Sequence, residues 1–295
     1  MIIIVSKEGQ LANRLAHASA FIANALAYEY KLVHLFFEDY YPYFSESLQL
    51  QKKFLRIPFK RKRRLARFLQ VSISLLMRGL VKLKITHLPF LQIIDYRKYE
   101  QGIAVYNLND KTFIKKAKSK IIFAHGWMFR DRINQLKYRD YLVKIFTPNK
   151  EFLSEAEQYY YKYRKGNDVL IGVHIRRGDY RKFNNGAWFY GLSDYYNKIK
   201  EVAALKMFTE KKIGFVICSD EKQIDFNPGN NFEIYFEERH FIVDLYLLAK
   251  CDYIIGPPST FSIWASFYGS VPLYMIKDKE ILIRNDNFHP EVAEF

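Results

Sequence analysis

The sequence predicts an α/β protein made of two Rossmann-like domains that face a cleft. Three observations support this fold class. Short apolar segments alternate with helical segments, the alternation restarts after a linker near Pro148, and 295 residues are enough for two domains of ordinary size. The predicted domains span residues 1–150 and 151–295. Ligands of such folds bind beyond the carboxyl ends of the parallel strands.

The first domain opens with a strand, a turn and a helix. Residues 2–6 are mostly isoleucine and valine, Gly9 marks the turn, and residues 11–29 are rich in alanine and leucine. A segment at about 47–94 interrupts the alternation and is predicted to be an insertion. The remaining predicted elements of this domain are strands at 31–36, 92–94, 103–106 and 121–123 and a helical region at 138–165.

The second domain repeats the alternation after the linker. The patterns predict strands at 168–175, 213–219, 233–236, 253–256 and 272–275 and helices at 193–205, 241–251 and 260–269. The sequence contains neither G-x-G-x-x-G nor G-x-x-x-x-G-K-[ST], the glycine patterns of dinucleotide-binding and P-loop proteins. Dinucleotide redox chemistry and P-loop hydrolysis are therefore disfavoured.

The composition is that of a folded protein from a reducing compartment. Hydrophobic residues make up 49% of the chain and aromatic residues 17%, which is enough for a packed core in each domain. Cys218 and Cys251 lie in apolar segments, which predicts buried thiols rather than a disulfide or a metal site. Residues 1–5 lack the features of a secretion signal, and charged side chains interrupt the best candidate for a membrane span, so a cytoplasmic protein is predicted.

The positive charge is concentrated in the insertion. The formal net charge is +15, and residues 47–94 contain twelve lysine and arginine residues and no acidic residue. This segment also contains apolar or small residues at helical spacing: Leu65, Phe68, Leu69, Ser72, Ile73, Leu76, Leu80 and Leu83. The pattern favours a peripheral helix on an anionic surface at the inner membrane face. Nucleic-acid binding is less favoured because the apolar side chains are mainly aliphatic, and a solvated face of a core helix is the third interpretation.

Polar and charged side chains follow three predicted strands of the second domain. Residues 174–179 read H-I-R-R-G-D, residues 219–221 read S-D-E, and residues 257–260 read P-P-S-T. Because arginine presents a planar fork of donors and a helix start presents backbone N–H groups, this combination suggests a site for the phosphates of a nucleotide. A simpler interpretation is an ion pair between Arg177 and Asp179 at the strand end.

These segments resemble the motifs of a known family. Residues 174–180, H-I-R-R-G-D-Y, resemble the H-x-R-R-G-D-Y signature of the α-1,2-fucosyltransferases and, more loosely, the H-x-R-R box shared with α-1,6- and protein O-fucosyltransferases. Residues 9–14 are similar to the opening G-x-L-G-N-Q loop of the family, residues 219–221 to its S-D-D, and residues 259–264 to its S-T-F-S-x-W. Four partial motifs in the right order are more specific than any one of them.

The resemblance implies an inverting, metal-independent glycosyltransferase of the two-domain GT-B fold, which needs no cofactor and holds its donor GDP-fucose mainly on the second domain. The acceptor would be a hydroxyl of a glycan, with a lipid-linked glycan as one candidate, and the linkage would be α-1,2 in cell-surface polysaccharide assembly. By position, the resemblance assigns the diphosphate to Arg176 with Arg177 as a second cation, guanine to His174 and Asp244, the ribose to Asp220, and phosphate to Ser259 and Thr260.

Fucosyl transfer also requires that a proton leave the acceptor hydroxyl. Asp179 is the first candidate for the general base because it lies close to the arginines, and Glu8 on the first-domain loop is the second. Asp179 has the alternative role of holding Arg177 or Arg14 in place. Taken alone, Asp244 in the first turn of its predicted helix would be explained by the helix dipole.

Two other functions remain open. A GT-B transferase that uses another nucleotide sugar would share the fold and the phosphate site. A basic protein that binds RNA or a membrane without catalysis would instead show salt-dependent binding and no response to guanine nucleotides. Stabilisation by GDP that EDTA leaves unchanged would favour the fucosyltransferase.

Overall fold

The structure is a computed structural model that describes residues 1–7, 9–34, 37, 39–44, 55–56, 63–96, 105–221 and 232–290. The chain forms two compact units, Met1–Asn149 and Lys150–Glu294. Within the described ranges, no helix is both long and apolar enough to cross a membrane.

The N-terminal unit is built on a parallel sheet. Its strands are β1 (Ile2–Ile4), β2 (Leu32–His34), β3 (Leu55–Arg56), β4 (Leu91–Asp95), β5 (Tyr106–Asn107), β6 (Ile121–His125) and β7 (Phe129–Arg130). Its helices are α1 (Leu11–Tyr28), α2 (Arg63–Lys82), α3 (Lys111–Ser119), α4 (Arg132–Lys137) and α5 (Arg139–Ile145). Five strands form the sheet in the order β3-β2-β1-β6-β4, and β5 pairs with β7.

Helix α1 is the main buried helix of this unit. Its alanine-rich sequence favours helix formation, and side chains such as Leu15 and Phe21 are fully buried. The helix ends at Tyr28 and is capped by Glu29, whose φ of 59° lies in the left-handed region and whose N–H donates to the carbonyl of Ala25.

The C-terminal unit is built on a second, six-stranded sheet. Its strands are β8 (Val169–Ile175), β9 (Ile213–Ser219), β10 (Glu233–Tyr235), β11 (Tyr253–Gly256), β12 (Pro272–Met275) and β13 (His289–Pro290). Its helices are α6 (Lys150–Arg164), α7 (Leu192–Ala203), α8 (Phe241–Leu248) and α9 (Thr260–Gly269). The strand order is β10-β9-β8-β11-β12-β13, and these strands pair in parallel except β12 with β13.

Strand β8 lies at the centre of this unit and is buried along its whole length. On one face, Ile171, Val173 and Ile175 pack in a cluster with Tyr195 and Ile199 of α7. Burial on both faces is typical of a central strand in a parallel sheet and explains the continuous apolar sequence of β8. The free thiols Cys218 and Cys251 are buried in the same unit, as predicted.

Most predicted elements of the C-terminal unit match the structure closely. The strands at 213–219, 253–256 and 272–275 and the helix at 260–269 have the predicted bounds, whereas the helix predicted at 241–251 ends at Leu248. The N-terminal unit differs more. Helices α3 and α4 were not predicted, the helical region at 138–165 contains two helices, and part of the strands predicted at 31–36 and 103–106 lies outside the described residues.

The insertion contains helix α2, but the predicted apolar face is partly wrong. Ile73 and Leu80, which the pattern places on the lipid side, instead pack with the buried Met77 against the sheet. Val71 and Leu75 are exposed in their place, at 58% and 61%. The helix therefore has an inner apolar face that belongs to the core and a separate outer apolar face.

Candidate functional site

Three strand ends of the C-terminal unit meet at one edge of its sheet. Strand β8 lies between β9 and β11, so the strand order reverses at β8. This reversal is the switch point at which α/β sheets bind ligands. Residues 176–179 follow β8, Asp220 follows β9, and Ser259 follows β11, so the predicted site residues of these three segments are brought together.

Arg176 connects two of these strand ends. Its Nε lies 2.9 Å from Oδ1 of Asp179 and its Nη2 2.7 Å from Oδ2, while Nη1 lies 3.3 Å from Oγ of Ser259. The guanidinium also lies over the ring of Tyr180, with Cζ 4.8 Å from the ring centroid. The Asp179 side chain is 51% exposed, so the ion pair is open to solvent. The Arg176 side chain itself is 19% exposed, and these contacts hold it in a fixed orientation beside an exposed carboxylate.

Asp220 closes the turn after β8. Its Oδ1 accepts from the backbone N–H of Arg177 at 2.9 Å, and its Oδ2 accepts from that of Gly178 at 3.1 Å. A Cβ at Gly178 would lie 3.0 Å from Oδ2 of Asp220, so this position favours glycine because the carboxylate approaches closely. The ribose contact predicted for Asp220 would have to use the lone pairs that these two bonds leave.

The end of β11 leads directly into helix α9. Ser259 caps this helix, because its Oγ accepts from the backbone N–H of Phe261 at 3.3 Å. Thr260 is the first helical residue. Since Arg176 reaches the same Oγ of Ser259, the positive end of the helix dipole and the guanidinium are neighbours, as an anion site requires.

Arg177 lies on the other side of the turn from Arg176. Its Nη1 is 3.5 Å from Oε2 of Glu221, and its guanidinium lies 5.5 Å from the ring centroid of Phe189. The ion pair that the sequence suggests between Arg177 and Asp179 is wrong, because Asp179 binds Arg176. The Nε of Arg177 is buried, and none of the described residues accepts a hydrogen bond from it.

His174 is buried beneath helix α9. Its ring is 5.0 Å from that of Phe261, and its Nδ1 is 3.2 Å from Oγ of Ser262. Burial, together with the charge of Arg176, lowers the pKa of His174 to about 3. Gly256 makes room for this arrangement, since a Cβ there would lie 2.9 Å from Cβ of His174. The predicted contact to guanine would therefore come from a neutral, largely enclosed imidazole.

The burial of His174 predicts an acid-sensitive fold. Its folded pKa of about 3 lies below the ordinary value of 6.5, so its contribution to stability is complete above pH 6.5 and is lost as the pH falls toward 3. As the pH falls from 6.5 toward 3, the free energy of unfolding of the wild type should decrease with a steeper slope than that of His174→Asn. We expect the two slopes to differ by about 1.4 kcal/mol per pH unit. Urea unfolding at several pH values measures both slopes, and equal slopes would contradict the prediction.

Asp244 is bound by a cation that the sequence analysis missed. Its Oδ1 is 2.7 Å from Nε of Arg239, whose side chain is completely buried and also donates to the carbonyl of Ile217 at 2.6 Å and the hydroxyl of Tyr163 at 3.1 Å. Burial raises the pKa of Asp244 to about 6 against the opposing charge of Arg239. The sequence did contain a signal for such a partner: Asp244 lies among apolar neighbours in a predicted helix, and a buried carboxylate needs a cation. The predicted contact between Asp244 and guanine would use the same carboxylate that binds Arg239.

An aromatic cluster extends outward from Arg176. The rings of Phe183 and Tyr180 stack with centroids 5.4 Å apart and an interplanar angle of 19°, and Trp188 lies 5.9 Å from Phe183. The Tyr180 hydroxyl donates to the carbonyl of Pro258 at 2.5 Å, a bond between the β8 and β11 ends that the sequence analysis did not assign. Phe183 is 52% exposed, so an apolar surface borders the Arg176–Asp179 pair.

The sequence also points to two residues of the first domain, Glu8 and Arg14. Glu8 lies outside the described residues. Arg14, an alternative partner for Asp179, donates to Oδ2 of Asp39 at 3.0 Å within its own unit. In the part of the chain that the structure describes, no cluster of three or more His, Cys, Asp or Glu side chains could hold a metal ion. Independence from metal stays a prediction.

Comparison with protein families gives one match over nearly the whole chain. The model of glycosyl transferase family 11 matches residues 7–291. A curated relative, the O-antigen biosynthesis glycosyltransferase WbnK of Escherichia coli, is 26% identical over 147 residues. That alignment covers 47% of this chain and 48% of WbnK, so the chain spans about half the length of this relative.

Solved structures with the same fold cover nearly the whole chain. A mutant of Arabidopsis thaliana FUT1 in complex with GDP superposes with a TM-score of 0.62 at 13% identity, covering 98% of this chain and 72% of that one. The fucosyltransferase NodZ from Bradyrhizobium superposes with a TM-score of 0.58 at 15% identity, covering 96% and 97%. At such low identity these likenesses establish the fold alone, and they confirm the predicted GT-B class of two Rossmann-like domains.

Proposed function

Because the chain belongs to glycosyl transferase family 11, we propose that it is an inverting fucosyltransferase that moves fucose from GDP-fucose to a glycan hydroxyl. The family confirms the predicted glycosyltransferase class and the resemblance on which it rested. Support for the donor comes from the similarity of residues 174–180 to the fucosyltransferase signature and from the fold shared with a NodZ structure soaked with GDP-fucose. The α-1,2 linkage rests on that signature alone.

The observation that carries the proposal is the position of Arg176. The residue lies at the switch point of the C-terminal sheet, bound to Asp179 on one side and to the helix cap Ser259 on the other. A fixed guanidinium beside a helix N-terminus fits a diphosphate, because both present hydrogen-bond donors to anionic oxygens. These donors are already oriented before the phosphate binds.

The reaction requires that the protein stabilise a departing diphosphate. The bond between C1 of fucose and the β-phosphate oxygen breaks with its electron pair on that oxygen, while the acceptor oxygen bonds to C1 from the opposite face and loses its proton. Arg176 would stabilise the charge that grows on the phosphate, with Arg177 as the second cation and the first turn of α9, at Ser259 and Thr260, as further donors.

We propose that Asp179 acts by positioning Arg176. Its two carboxylate oxygens both accept from that guanidinium, and these hydrogen bonds hold the pKa of Asp179 below its ordinary value. A carboxylate occupied in this way is a weak base for an acceptor hydroxyl. The roles of Glu8 as an alternative base, of Asp220 at the ribose, and of His174 and Asp244 at guanine stay predictions.

The variant Asp179→Asn separates the two roles of this residue. We expect it to weaken GDP binding about tenfold, because Arg176 loses a charged partner that orients it. Titration calorimetry with GDP measures this loss, and Asp179→Glu should restore part of the affinity. A large fall in kcat with unchanged GDP affinity would instead identify Asp179 as the general base.

The proposed acceptor is a glycan of a growing cell-surface polysaccharide. The role of the relative WbnK in O-antigen biosynthesis supports this class of acceptor. We place the acceptor sugar beside the exposed ring of Phe183, because an exposed aromatic surface next to a candidate catalytic site is suited to a sugar face. A lipid-linked form of this glycan would bring the enzyme to a membrane at its periphery.

A sugar-nucleotide panel tests the proposed function. Purified protein is incubated with GDP-fucose, GDP-mannose and UDP-linked sugars, and release of the nucleoside diphosphate is measured with and without acceptor glycans and EDTA. We expect release from GDP-fucose only, and no effect of EDTA. Turnover of a UDP-sugar would show that another donor is used, and the absence of any turnover together with no stabilisation by GDP would overturn the proposal.

A further inference from the structure

Helix α2 has two separate apolar faces. The inner face packs Met77, which is 4% exposed, together with Ile73, Leu80 and Val81 in a cluster with residues of the sheet such as Ile93. This contact is enough to explain why the helix is attached to the N-terminal unit. It does not explain the apolar side chains on the opposite face.

The outer face exposes a row of large apolar side chains. Phe68 is 67% exposed, Val71 58%, Leu75 61% and Leu76 53%. Their spacing of three and four residues places Phe68, Val71 and Leu75 on one side of the helix. Leu83 and Phe90, beyond the end of α2, are exposed at 68% and 64%. Contiguous exposed apolar surface of this kind marks an interaction site rather than an ordinary protein surface.

The segment that carries this outer face has charge of one sign. Arg78, Lys82 and Lys84 are exposed among the apolar side chains. Acidic residues are absent from the whole segment 47–94, which carries twelve basic residues, five of them in the run K-R-K-R-R at 60–64 that leads into α2. A partner of this surface must therefore supply both apolar contact and negative charge.

We propose that the outer face of α2, together with Leu83 and Phe90 beyond its end, binds the surface of an anionic lipid bilayer with the helix lying in the plane of the interface. Twenty residues of helix extend about 30 Å along such a surface. The apolar row would enter the boundary between headgroups and acyl chains, while the basic side chains would contact anionic headgroups. This inference does not depend on the sugar that the enzyme transfers.

The other possible partners fit less well. A second copy of the chain would bring like charges together, because a two-fold interface places the same patch on both sides. Nucleic acid would be attracted by the charge and could stack on Phe68 and Phe90. It offers little, however, to the exposed aliphatic side chains Val71, Leu75 and Leu76. An anionic bilayer provides acyl chains for the apolar side chains and anionic headgroups for the basic side chains.

Vesicle sedimentation tests the inference on the full chain. Wild-type protein is sedimented with vesicles of phosphatidylcholine alone and of phosphatidylcholine mixed with phosphatidylglycerol. We expect strong binding to the anionic vesicles and weak binding to the neutral ones. Equal binding to both, or binding to neither, would overturn the inference.

Paired variants separate the apolar and the charged contributions. Leu75→Ser with Leu76→Ser should weaken vesicle binding at least about tenfold, because the two side chains no longer enter the bilayer. Arg78→Gln with Lys82→Gln should weaken it roughly 30-fold, at about fivefold for each basic residue. The matched controls are Ile133→Ser, a 71% exposed apolar residue on α4, and Lys115→Gln with Lys118→Gln on α3, which should leave binding unchanged.

Two further measurements distinguish the remaining outcomes. Stabilisation by GDP should be the same in the α2 variants as in the wild type, which shows that they fold and keeps a failure here separate from a failure of the proposed function. Light scattering measures whether the chain forms a dimer, and titration with RNA measures nucleic-acid binding. A dimer that dissociates in Leu75→Ser with Leu76→Ser, or RNA binding that weakens in the same variant, would assign the face to those partners and overturn the membrane proposal.

Discussion

Replacing Arg176 with alanine is expected to lower kcat/KM for sugar transfer about 1,000-fold. The side chain links the ends of β8 and β11, with Nη1 3.3 Å from Oγ of Ser259 and two bonds to Asp179. A donor oriented in this way before the substrate binds contributes most where charge develops, at the departing phosphate. Titration with GDP should show a parallel loss of affinity, because GDP, the product of the proposed reaction, carries the same diphosphate.

Two control variants separate charge from geometry in this experiment. Arg181→Ala removes a neighbouring arginine that is 58% exposed and 3.6 Å from Glu221, and it should change kcat/KM by less than about fivefold. Arg176→Lys keeps the charge but loses the planar fork, so its activity should fall between those of the wild type and Arg176→Ala. Unchanged GDP affinity in Arg176→Ala would show that the diphosphate binds elsewhere.

The position of the candidate site on the sheet is predictable from the sequence, because the carboxyl ends of parallel strands share one edge. The continuous apolar run of β8 and the short strands β9 and β11 have strong patterns, and their carboxyl ends must share one edge. The order of the motifs along the chain then placed His174, Asp220 and Ser259 near one another without any knowledge of side-chain contacts.

The ion pairs could not be predicted in the same way, because they depend on side-chain direction after the strand ends. Asp179 begins a short 3₁₀ helix, Asp179–Arg181, three residues after Arg176. This turn brings its carboxylate to the Arg176 side, while Arg177 points toward Phe189 and Glu221. Periodicity along β8 stops at Ile175 and gives no information about this turn.

The exposed face of α2 was only partly predicted, for a related reason: Phe68 and Leu76 are exposed as expected, whereas Ile73 and Leu80 are not. A helix in which apolar residues occupy more than one side has no unique buried face from spacing alone. Contact with Ile93 and Phe123 of the sheet decides that Ile73 and Met77 face inward. The same limit applies to Arg239, which reaches Asp244 from the loop before α8 and follows no periodic pattern.

Replacing Arg239 with methionine is expected to destabilise the protein by about 3–5 kcal/mol at neutral pH. The Arg239 side chain is completely buried, and Asp244 is 10% exposed at its side chain. Removing the cation leaves a buried carboxylate without its charged partner and also leaves the carbonyl of Ile217 and the hydroxyl of Tyr163 without a donor. Urea unfolding followed by circular dichroism measures the loss.

The pH dependence of this loss identifies its cause. Without Arg239 the pKa of Asp244 in the folded protein should rise further above the value of about 6 that burial already gives it. The folded variant therefore binds a proton at a higher pH than the unfolded chain, in which the carboxylate has its ordinary pKa of 3.8. Protonation removes the unpaired charge, and the deficit relative to the wild type should shrink as the pH is lowered from 8 to about 5. The double variant Arg239→Met with Asp244→Asn should recover part of the stability at neutral pH, because no charge remains buried. A deficit that is independent of pH, with no recovery in the double variant, would show that Arg239 contributes through packing alone.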